Sequence, residues 1–197
     1  MFPPAPGPNA RVLFFRPRRA QRAAHNPNPQ SLTPAFRPPL CYNGFLTIYQ
    51  LRRETFVPAP LPAVFEFFSA AQNLAAITPP WMHFRILTPE PIALRSGAQL
   101  NYTLRVRGLP VRWTTIIETW DPPREFSDFQ ARGPYKLWRH THRFREADGG
   151  TWMEDVVRYA LPFGPVGRLA HALFVRRDLE SVFDYRAARI RERFGSR

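Results

Sequence analysis

The sequence is short of cysteine and lysine. Cys41 is the single cysteine among 197 residues, which excludes an intramolecular disulfide framework and any zinc site built from several cysteines. Lysine occurs once, as Lys136, so 27 of the 28 basic residues are arginine. Hydrophobic residues make up 44% and charged residues 22% of the chain, which is the composition of a globular protein and not of a wholly disordered one.

The sequence also lacks a long apolar run. The longest uncharged stretch, residues 67–84, is interrupted by Gln72, Asn73 and the pair Pro79–Pro80, so it cannot form one membrane-spanning helix of about 20 residues. No apolar segment of a secretory signal follows the basic start of the chain. We therefore expect a cytoplasmic protein without a membrane span.

Acidic residues are missing from the first forty positions. Six arginines and ten of the 23 prolines fall in this stretch. Such a composition cannot bury enough apolar surface to offset the entropy of ordering the chain. The sequence therefore predicts a disordered leader over residues 1–45 and a folded domain over residues 46–197.

The net charge of +13 raises the question of a nucleic-acid partner. The sequence contains no recognition helix, zinc finger or RNP-type strand. The base composition of a genome can produce the excess of arginine over lysine without selection for a partner. We expect no nucleic-acid partner, whereas the basic surface favours transient contact with an anionic membrane surface.

The pattern after the leader predicts an α+β domain. Residues 46–57 are rich in β-branched and aromatic side chains and precede Pro58, which indicates a strand. Two short helices follow, one opened by Pro60–Pro62 and one over residues 73–77. Strands are then predicted at 83–87, 98–107, 110–121, 125–131, 135–146 and 151–161. A long helix from about Val166 to Phe194 ends the domain.

The predicted C-terminal helix carries an apolar stripe at helical spacing. The stripe consists of Val166, Leu169, Ala170, Leu173, Phe174, Phe183, Ala187, Ile190 and Phe194. Arginines lie between these positions. We expect the whole stripe to be buried against an antiparallel sheet.

Two hairpin turns predict which side chains share a face of the sheet, because strand side chains alternate. A Gly108-Leu109 turn pairs Leu104 with Trp113. An Asp148-Gly149 turn pairs His142 with Asp155 and Trp138 with Tyr159. The second register sends two histidines and one aspartate toward the apolar side of the sheet. The apolar side of both hairpins holds Leu100, Tyr102, Leu104, Val106, Val111, Trp113, Thr115, Ile117, Trp138, His140, His142, Phe144, Met153, Asp155, Val157 and Tyr159.

Three segments carry a family resemblance. They are PAPLPAVFEFFSAAQNLAAITPPWMHFRI (58–86), WDPPREFSDFQARGPYKLWRHTHRF (120–144) and LPFGPVGRLAHALFVRRDLESVFDYR (161–186). From residue 46 to residue 194 the chain resembles the polyketide cyclase/dehydrase and lipid-transport superfamily, which includes START-like and coenzyme Q-binding proteins. The resemblance implies a Bet v 1-like helix-grip fold, in which an antiparallel sheet wraps around a long C-terminal helix. It also implies a cavity between sheet and helix for an apolar small molecule.

The resemblance and the face analysis together predict where a ligand binds. We expect a lipid or polyprenyl quinone-like molecule to be bound or carried in the cavity, since small-molecule sites are usually lined by apolar and aromatic side chains. A structural partner module with a filled core is a further alternative. The predicted ligand-binding residues are Tyr102, Trp113, Trp138, His140, His142, Phe144, Met153, Asp155, Val157 and Tyr159.

The His142–Asp155 pair supports an alternative function. An imidazole oriented by a carboxylate can transfer a proton, so a cyclase or dehydrase acting on a polyketide-like substrate could use this pair as acid and base. The pair could equally satisfy two polar groups in the interior. His140 and His142 could bind a metal, but a metal site needs a third ligand. The sequence offers only Asp155 facing them, and we expect neither a metal nor a cofactor.

Overall fold

The strands form one antiparallel sheet in the computed structural model, which describes residues 46–195 and, for its backbone alone, residues 37–42. The sheet has eight strands in the order β1-β2-β8-β7-β6-β5-β4-β3. All neighbouring strands are antiparallel. The strands are β1 Arg37–Tyr42, β2 Leu46–Val57, β3 Arg85–Ile86, β4 Gln99–Val106, β5 Leu109–Asp121, β6 Glu125–Arg132, β7 Leu137–Ala147 and β8 Gly150–Ala160.

Strand β1 lies within the segment that the sequence predicts to be a leader. The sequence assigned this segment to a disordered leader, but its backbone pairs with β2, with Leu40 opposite Ile48 and Tyr42 opposite Leu46. The described backbone of residues 37–42 thus joins the sheet, while the domain boundary at residue 46 stays a prediction. Strand β2 pairs with β8 on one side only, so without β1 the backbone hydrogen-bonding groups on its other side would have no partner strand. The rest of the predicted leader, residues 1–36 and 43–45, lies outside the described residues.

The segment between β2 and β3 contains one α-helix and two single turns of 3₁₀-helix. Helix α1 spans Leu61–Ser69 and begins with a proline in its first turn, as the sequence predicted. The predicted second helix is a 3₁₀ turn at Ala71–Leu74, and a further 3₁₀ turn follows at Pro80–Met82. Helix α1 buries Val64 and Phe65 against the sheet.

The C-terminal helix runs without a break over residues 164–194 but changes its geometry. It consists of α2 Gly164–Ala170, a π-helical turn His171–Val175 and α3 Arg176–Phe194. Helix α3 buries Leu179, Phe183, Arg186 and Ile190. The predicted α+β helix-grip arrangement, a long C-terminal helix against an antiparallel sheet, is therefore confirmed.

The first part of the predicted apolar stripe is not buried. Val166 is 68% exposed and Leu173 is 61% exposed, and Leu169 is similarly accessible. Gly167 and His171 face the interior instead. At Gly167 a Cβ atom would lie 2.2 Å from the carbonyl oxygen of Pro162, so the close approach at this face requires glycine. The π-helical turn inserts one residue and shifts the helical phase, so one stripe cannot face the sheet along the whole helix.

The hairpin predictions were right about the faces and right about one of the two registers. Strands β7 and β8 pair as predicted, with His142 opposite Asp155 and Trp138 opposite Tyr159. Strands β4 and β5 pair two residues away from the prediction, with Tyr102 opposite Trp113. The turn is Arg107-Gly108, whose φ angles of 51° and 81° suit the primed turns of tight hairpins. Because the shift is by two residues, no side chain changes face.

Candidate functional site

The inner face of the sheet contains a cluster of buried polar side chains. Asp155 on β8 is at its centre and is only 4% exposed. Its Oδ1 atom accepts a hydrogen bond of 2.8 Å from Nε2 of His140. Nδ1 of His142 lies 2.8 Å from the same oxygen as an ion-pair contact, although that nitrogen makes no hydrogen bond of good geometry. One carboxylate oxygen therefore contacts both imidazoles.

Two further charged residues complete this cluster. Arg186 on α3 is 9% exposed, and its Nη1 atom lies 3.9 Å from Oδ1 of Asp155. Asp128 on β6 is opposite His140 in the β6–β7 register and receives a side-chain hydrogen bond from Thr115. Asp128 is half-buried, whereas the other four residues are buried. We call Asp128, His140, His142, Asp155 and Arg186 the buried polar cluster.

Burial and mutual charge move the pKa values in this cluster in different directions. Burial raises the pKa of Asp128 to about 6, against the effect of His142, Arg186 and the hydrogen bond from Thr115. Burial, together with the charge on His142, lowers the pKa of His140 to about 3. Burial also opposes ionisation of Asp155, but His142 and His140 hold the pKa of Asp155 well below its usual range. At neutral pH His140 is thus neutral and Asp155 is ionised.

The polar cluster continues across the sheet through a hydroxyl pair. The phenol oxygen of Tyr102 on β4 lies 3.3 Å from Oγ1 of Thr115 on β5, and Thr115 in turn bonds to Asp128. Every strand from β4 to β8 therefore contributes a polar side chain to the inner face. Polar groups buried at this depth are costly unless they are paired.

Two donors beside these polar groups have no partner among the described residues. They are Nε1 of Trp113 and Nε of Arg186, both fully enclosed. An unsatisfied buried donor costs about 1–3 kcal/mol. An acceptor oxygen placed next to either group would recover part of that cost.

The sequence profile of one protein family matches most of the domain. The family is described as polyketide cyclase / dehydrase and lipid transport, and the match covers residues 57–183. The chain belongs to this family. The resemblance seen in the sequence is thereby confirmed. A search of curated proteins finds no match.

Solved structures of the same fold resemble the family domain at low sequence identity. Ara h 8.0201 is 14% identical with a TM-score of 0.52, covering 73% of this chain and 97% of that chain. A protein of Thermus thermophilus is 21% identical with a TM-score of 0.53, covering 72% and 96%. A nucleoside-diphosphate sugar epimerase of Corynebacterium glutamicum is 22% identical with a TM-score of 0.53, covering 72% of this chain and 28% of that chain. These likenesses support the fold alone.

Membership of the polyketide cyclase / dehydrase and lipid transport family shows a domain of hydrophobic ligand-binding or cyclase-like type. Among the described residues no helix is long and apolar enough to cross a membrane. The family does not fix the ligand, because function depends on the site and not on the fold.

The predicted ligand-binding residues all lie on the inner face of the family domain but fall into separate groups. Phe144 and Met153 pack with Phe65 of α1 at one end of the core. Val157 and Tyr159 pack with Leu179 and Phe183 of α3. Tyr102 and Trp113 form a third group, against which Trp138 packs. His140, His142 and Asp155 lie in the buried polar cluster.

Several of the predicted ligand-binding residues are closely packed on the inner face, and the predicted cavity between sheet and helix stays a prediction. Val157 and Tyr159 are fully buried, and Trp113 is 5% exposed. Its ring lies 5.3 Å from Trp138 and 5.7 Å from Tyr135, measured between centroids. Aromatic rings therefore make up much of the packing around Trp113.

A pocket of about 520 Å³ opens on the outer face of the sheet. Its lining includes Arg52, Arg143 and Glu154, and Glu154 pairs with both arginines. Ion pairs of this kind satisfy their own charges, and an apolar molecule would have to desolvate them. We therefore do not place the ligand of the domain here.

The sequence analysis missed several residues of the inner face. It did not identify Arg186 or Asp128. Arg186 follows Phe183 by three positions and precedes Ile190 by four, so helical spacing already places it on the buried side. Asp128 follows Phe126 by two positions in a strand, so alternation places both on one face. The sequence analysis counted only apolar residues as buried, so it passed over these two charged residues although their spacing places them on the inner face.

His171 is a buried histidine outside the polar cluster. Its ring stacks on Tyr49 with centroids 3.5 Å apart. Its Nε2 atom is 2.9 Å from the hydroxyl of Tyr159, and burial lowers the pKa of His171. These contacts are those of a histidine that packs in the interior.

Proposed function

We propose that this domain binds and carries an apolar small molecule that has an oxygen-bearing head group, such as a lipid or a polyprenyl quinone-like compound. The observation that carries the proposal is the pair of enclosed donors, Nε1 of Trp113 and Nε of Arg186, which lack a partner among the described residues. A carbonyl oxygen accepts hydrogen bonds from such donors. The apolar part of the molecule would contact the aromatic side chains around Trp113.

The aromatic group around Trp113 suits a flat, partly apolar molecule. Tyr102 stacks with Trp113 at a centroid distance of 6.1 Å, and Tyr135 and Trp138 lie on its other sides. Aromatic rings favour offset stacking and edge contacts with other π systems. A quinone ring inserted here would exchange protein–protein ring contacts for protein–ligand ones.

Identification of co-purified material is the first experiment. The full-length protein is examined by native mass spectrometry, and its organic extract is analysed. A bound lipid or quinone supports carriage. A protein that is isolated without ligand, and that also fails to bind such compounds when they are added, contradicts it.

A titration with a short-chain alkyl benzoquinone tests the position of the head group. Binding is followed by quenching of the tryptophans that remain in each variant. The Trp113→Phe variant keeps an aromatic ring but loses the donor, and we expect its Kd to rise about tenfold, the equivalent of one hydrogen bond. Trp152→Phe is the control, because Trp152 lies on the outer face and contacts Phe56. Equal affinity of wild type and Trp113→Phe would place the head group elsewhere.

The contacts of Asp155 with two imidazoles favour a second candidate function, an acid–base enzyme of the cyclase or dehydrase type. Asp155 contacts Nδ1 of His142, which leaves Nε2 available for a substrate, and proton transfer beside a carbonyl needs such a positioned base. An enzyme would lose turnover of an aromatic polyketide mimic in His142→Ala, whereas a carrier would only change its affinity. The two functions are thus separated by one variant.

A carrier of an apolar molecule needs a place to load it, and we propose transient contact with an anionic membrane surface. The exposed part of the C-terminal helix presents Val166, Leu169 and Leu173 on one stripe, and Phe163 just before it is 80% exposed. Exposed arginines flank the stripe, among them Arg168 and Arg177. Apolar side chains next to basic ones suit an interface with anionic lipid.

Vesicle sedimentation tests the membrane contact. We expect binding to vesicles that contain phosphatidylserine, weaker binding to pure phosphatidylcholine vesicles, and a loss of binding at high salt. The double variant Leu169→Ser/Leu173→Ser should bind less, whereas Leu87→Ser, which changes an exposed leucine far along the chain, should not. Equal binding of all three proteins would refute the proposed surface.

A further inference from the structure

Two histidines and one carboxylate on neighbouring strands have the spacing of a metal site. His140 and His142 are two residues apart on β7, so both side chains are on the inner face. Asp128 is directly opposite His140 on β6. One ligand atom from each of the three residues lies within 4.8 Å of the others. We propose that Asp128, His140 and His142 bind a divalent transition-metal ion of the zinc type.

Asp155 has the position of a residue that orients the two ligands. It contacts Nε2 of His140 and Nδ1 of His142, each at 2.8 Å. The proposal therefore requires the ion to bind Nδ1 of His140 and Nε2 of His142, the nitrogens for which no contact with Asp155 is seen. Histidines that bind a metal through one nitrogen commonly use the other to contact a carboxylate, which fixes the ring. One carboxylate here serves both imidazoles.

The chemistry of the donor set fits zinc. Zn²⁺ binds imidazole nitrogen and carboxylate oxygen at about 2.0–2.2 Å, and three protein ligands leave one position open for water or substrate. In a tetrahedral site with such bonds the ligand atoms are about 3.4 Å apart. The three atoms must therefore approach one another by up to about 1.4 Å. Asp128 is half-buried, and it is the least enclosed of the three ligands.

The charges of the buried polar cluster also favour a cation. Asp128 and Asp155 can provide two negative charges, and Arg186, whose Nη1 is 3.9 Å from Oδ1 of Asp155, provides one positive charge. With both histidines neutral as ligands, the cluster has a net charge of −1. A divalent ion would change this charge to +1, and an anionic ligand such as hydroxide at the open position would bring it to zero.

The metal proposal goes beyond carriage of an apolar molecule and does not rest on it. A bound Zn²⁺ with an open position polarises a carbonyl oxygen or lowers the pKa of a bound water. It would thus give the domain a Lewis-acid centre in the same cluster as Arg186. Metal binding can be measured without any organic ligand, so the failure of one proposal leaves the other standing.

Co²⁺ is the probe, because its visible absorption reports tetrahedral coordination. The full-length protein is treated with a chelator, exchanged into metal-free buffer and titrated with Co²⁺. We expect visible bands that saturate at one ion per chain and that Zn²⁺ abolishes by displacement. No band at saturating Co²⁺, or a band that Zn²⁺ does not displace, overturns the proposal.

Variants assign the ligands. Asp128→Asn and His142→Gln should each weaken Co²⁺ binding by at least a hundredfold, and Asp155→Asn should weaken it by about 10–100-fold through loss of orientation. His83→Gln is the control, because His83 is an exposed histidine outside the cluster. Binding that survives in Asp128→Asn, or that falls in His83→Gln, contradicts the assignment.

Thermal denaturation keeps the test valid if a variant folds poorly. A ligand that binds only the folded state raises the melting temperature. We expect Zn²⁺ to raise the melting temperature of the chelator-treated wild type and to leave that of Asp128→Asn unchanged. Circular dichroism confirms that each variant is folded before titration. An equal rise in both proteins would place the ion elsewhere.

Discussion

Nε2 of His140 donates a 2.8 Å hydrogen bond to Oδ1 of Asp155, and both side chains are buried. The bond links neighbouring strands β7 and β8 on the inner face of the sheet. The same oxygen contacts His142 and lies 3.9 Å from Arg186 on α3. Removal of this one carboxylate charge therefore affects three buried groups at once.

The first prediction concerns the stability contribution of Asp155. Asp155→Asn keeps the size of the side chain but leaves Arg186 without its buried counter-charge and weakens the contacts with both histidines. We expect the free energy of unfolding to fall by about 3 kcal/mol. Asp184→Asn is the matched control, because the side chain of Asp184 is 70% exposed and pairs with Arg53 at the surface; its effect should stay within about 0.5 kcal/mol. Urea denaturation measures both, and equal effects would show that Asp155 has no special role in stability.

The second prediction is a dependence of stability on pH that His140 causes. Burial lowers the pKa of His140 to about 3, whereas in the unfolded chain it is about 6.5. Between these values the unfolded chain binds a proton that the folded chain does not. The contribution of His140 to the free energy of unfolding is therefore complete above pH 6.5 and decreases by about 1.4 kcal/mol per pH unit as the pH falls.

His140→Gln tests this pH dependence. The glutamine takes up no proton in this pH range, so only the wild type loses the contribution of His140 as the pH falls. The difference in unfolding free energy between wild type and variant should therefore shrink steadily from pH 7 to about pH 4. Asp128, whose pKa burial raises to about 6, has the opposite effect on stability over much of this range, but it is present in both proteins. Parallel curves for the two proteins would contradict a lowered pKa of His140.

Much of the inner face could be predicted from the sequence because turn chemistry determines register. Asp148-Gly149 determines the β7–β8 hairpin, and His142 lies opposite Asp155 as expected. In the β4–β5 hairpin the turn was placed one residue late, because Arg107 adopts a positive φ that the sequence does not signal. The face assignment survived, since the shift in pairing is even.

The rest of the site could not be predicted because it depends on contacts that are distant in the sequence. Asp128 approaches His140 through the β6–β7 pairing, and the loop between these strands has no two-residue turn that would fix their register. Arg186 reaches Asp155 from the C-terminal helix. The extent of side-chain packing between helix and sheet depends on the rotation of that helix, which the π-helical turn changes.

The third prediction separates the two halves of the C-terminal helix. Leu173 is 61% exposed and Leu179 is 8% exposed, although both are leucines in one continuous helix. Leu173→Ala should change the free energy of unfolding by less than about 0.5 kcal/mol. Leu179→Ala should lower it by about 2–5 kcal/mol, because it leaves a cavity beside Phe183. Comparable losses in the two variants would mean that the helix is buried at Leu173, within the π-helical turn, as well as at Leu179.

The last prediction concerns the edge of the sheet. Strand β1 covers the free side of β2, and its backbone pairs with residues 46–50. Deletion of residues 1–36 removes most of the predicted disordered leader but leaves β1, so we expect an unchanged melting temperature. Deletion of residues 1–45 also removes β1, exposes the backbone hydrogen-bonding groups of β2 and leaves a long edge strand. We expect this second protein to melt several degrees lower, since about 1 kcal/mol shifts the midpoint by roughly 2–4 °C in a domain of this size. We also expect it to associate more readily at high concentration.

Differential scanning calorimetry and light scattering of the two deletion variants provide the measurements. Identical melting temperatures would show that β1 contributes nothing to stability, and a loss already on deletion of residues 1–36 would show that the leader packs on the domain.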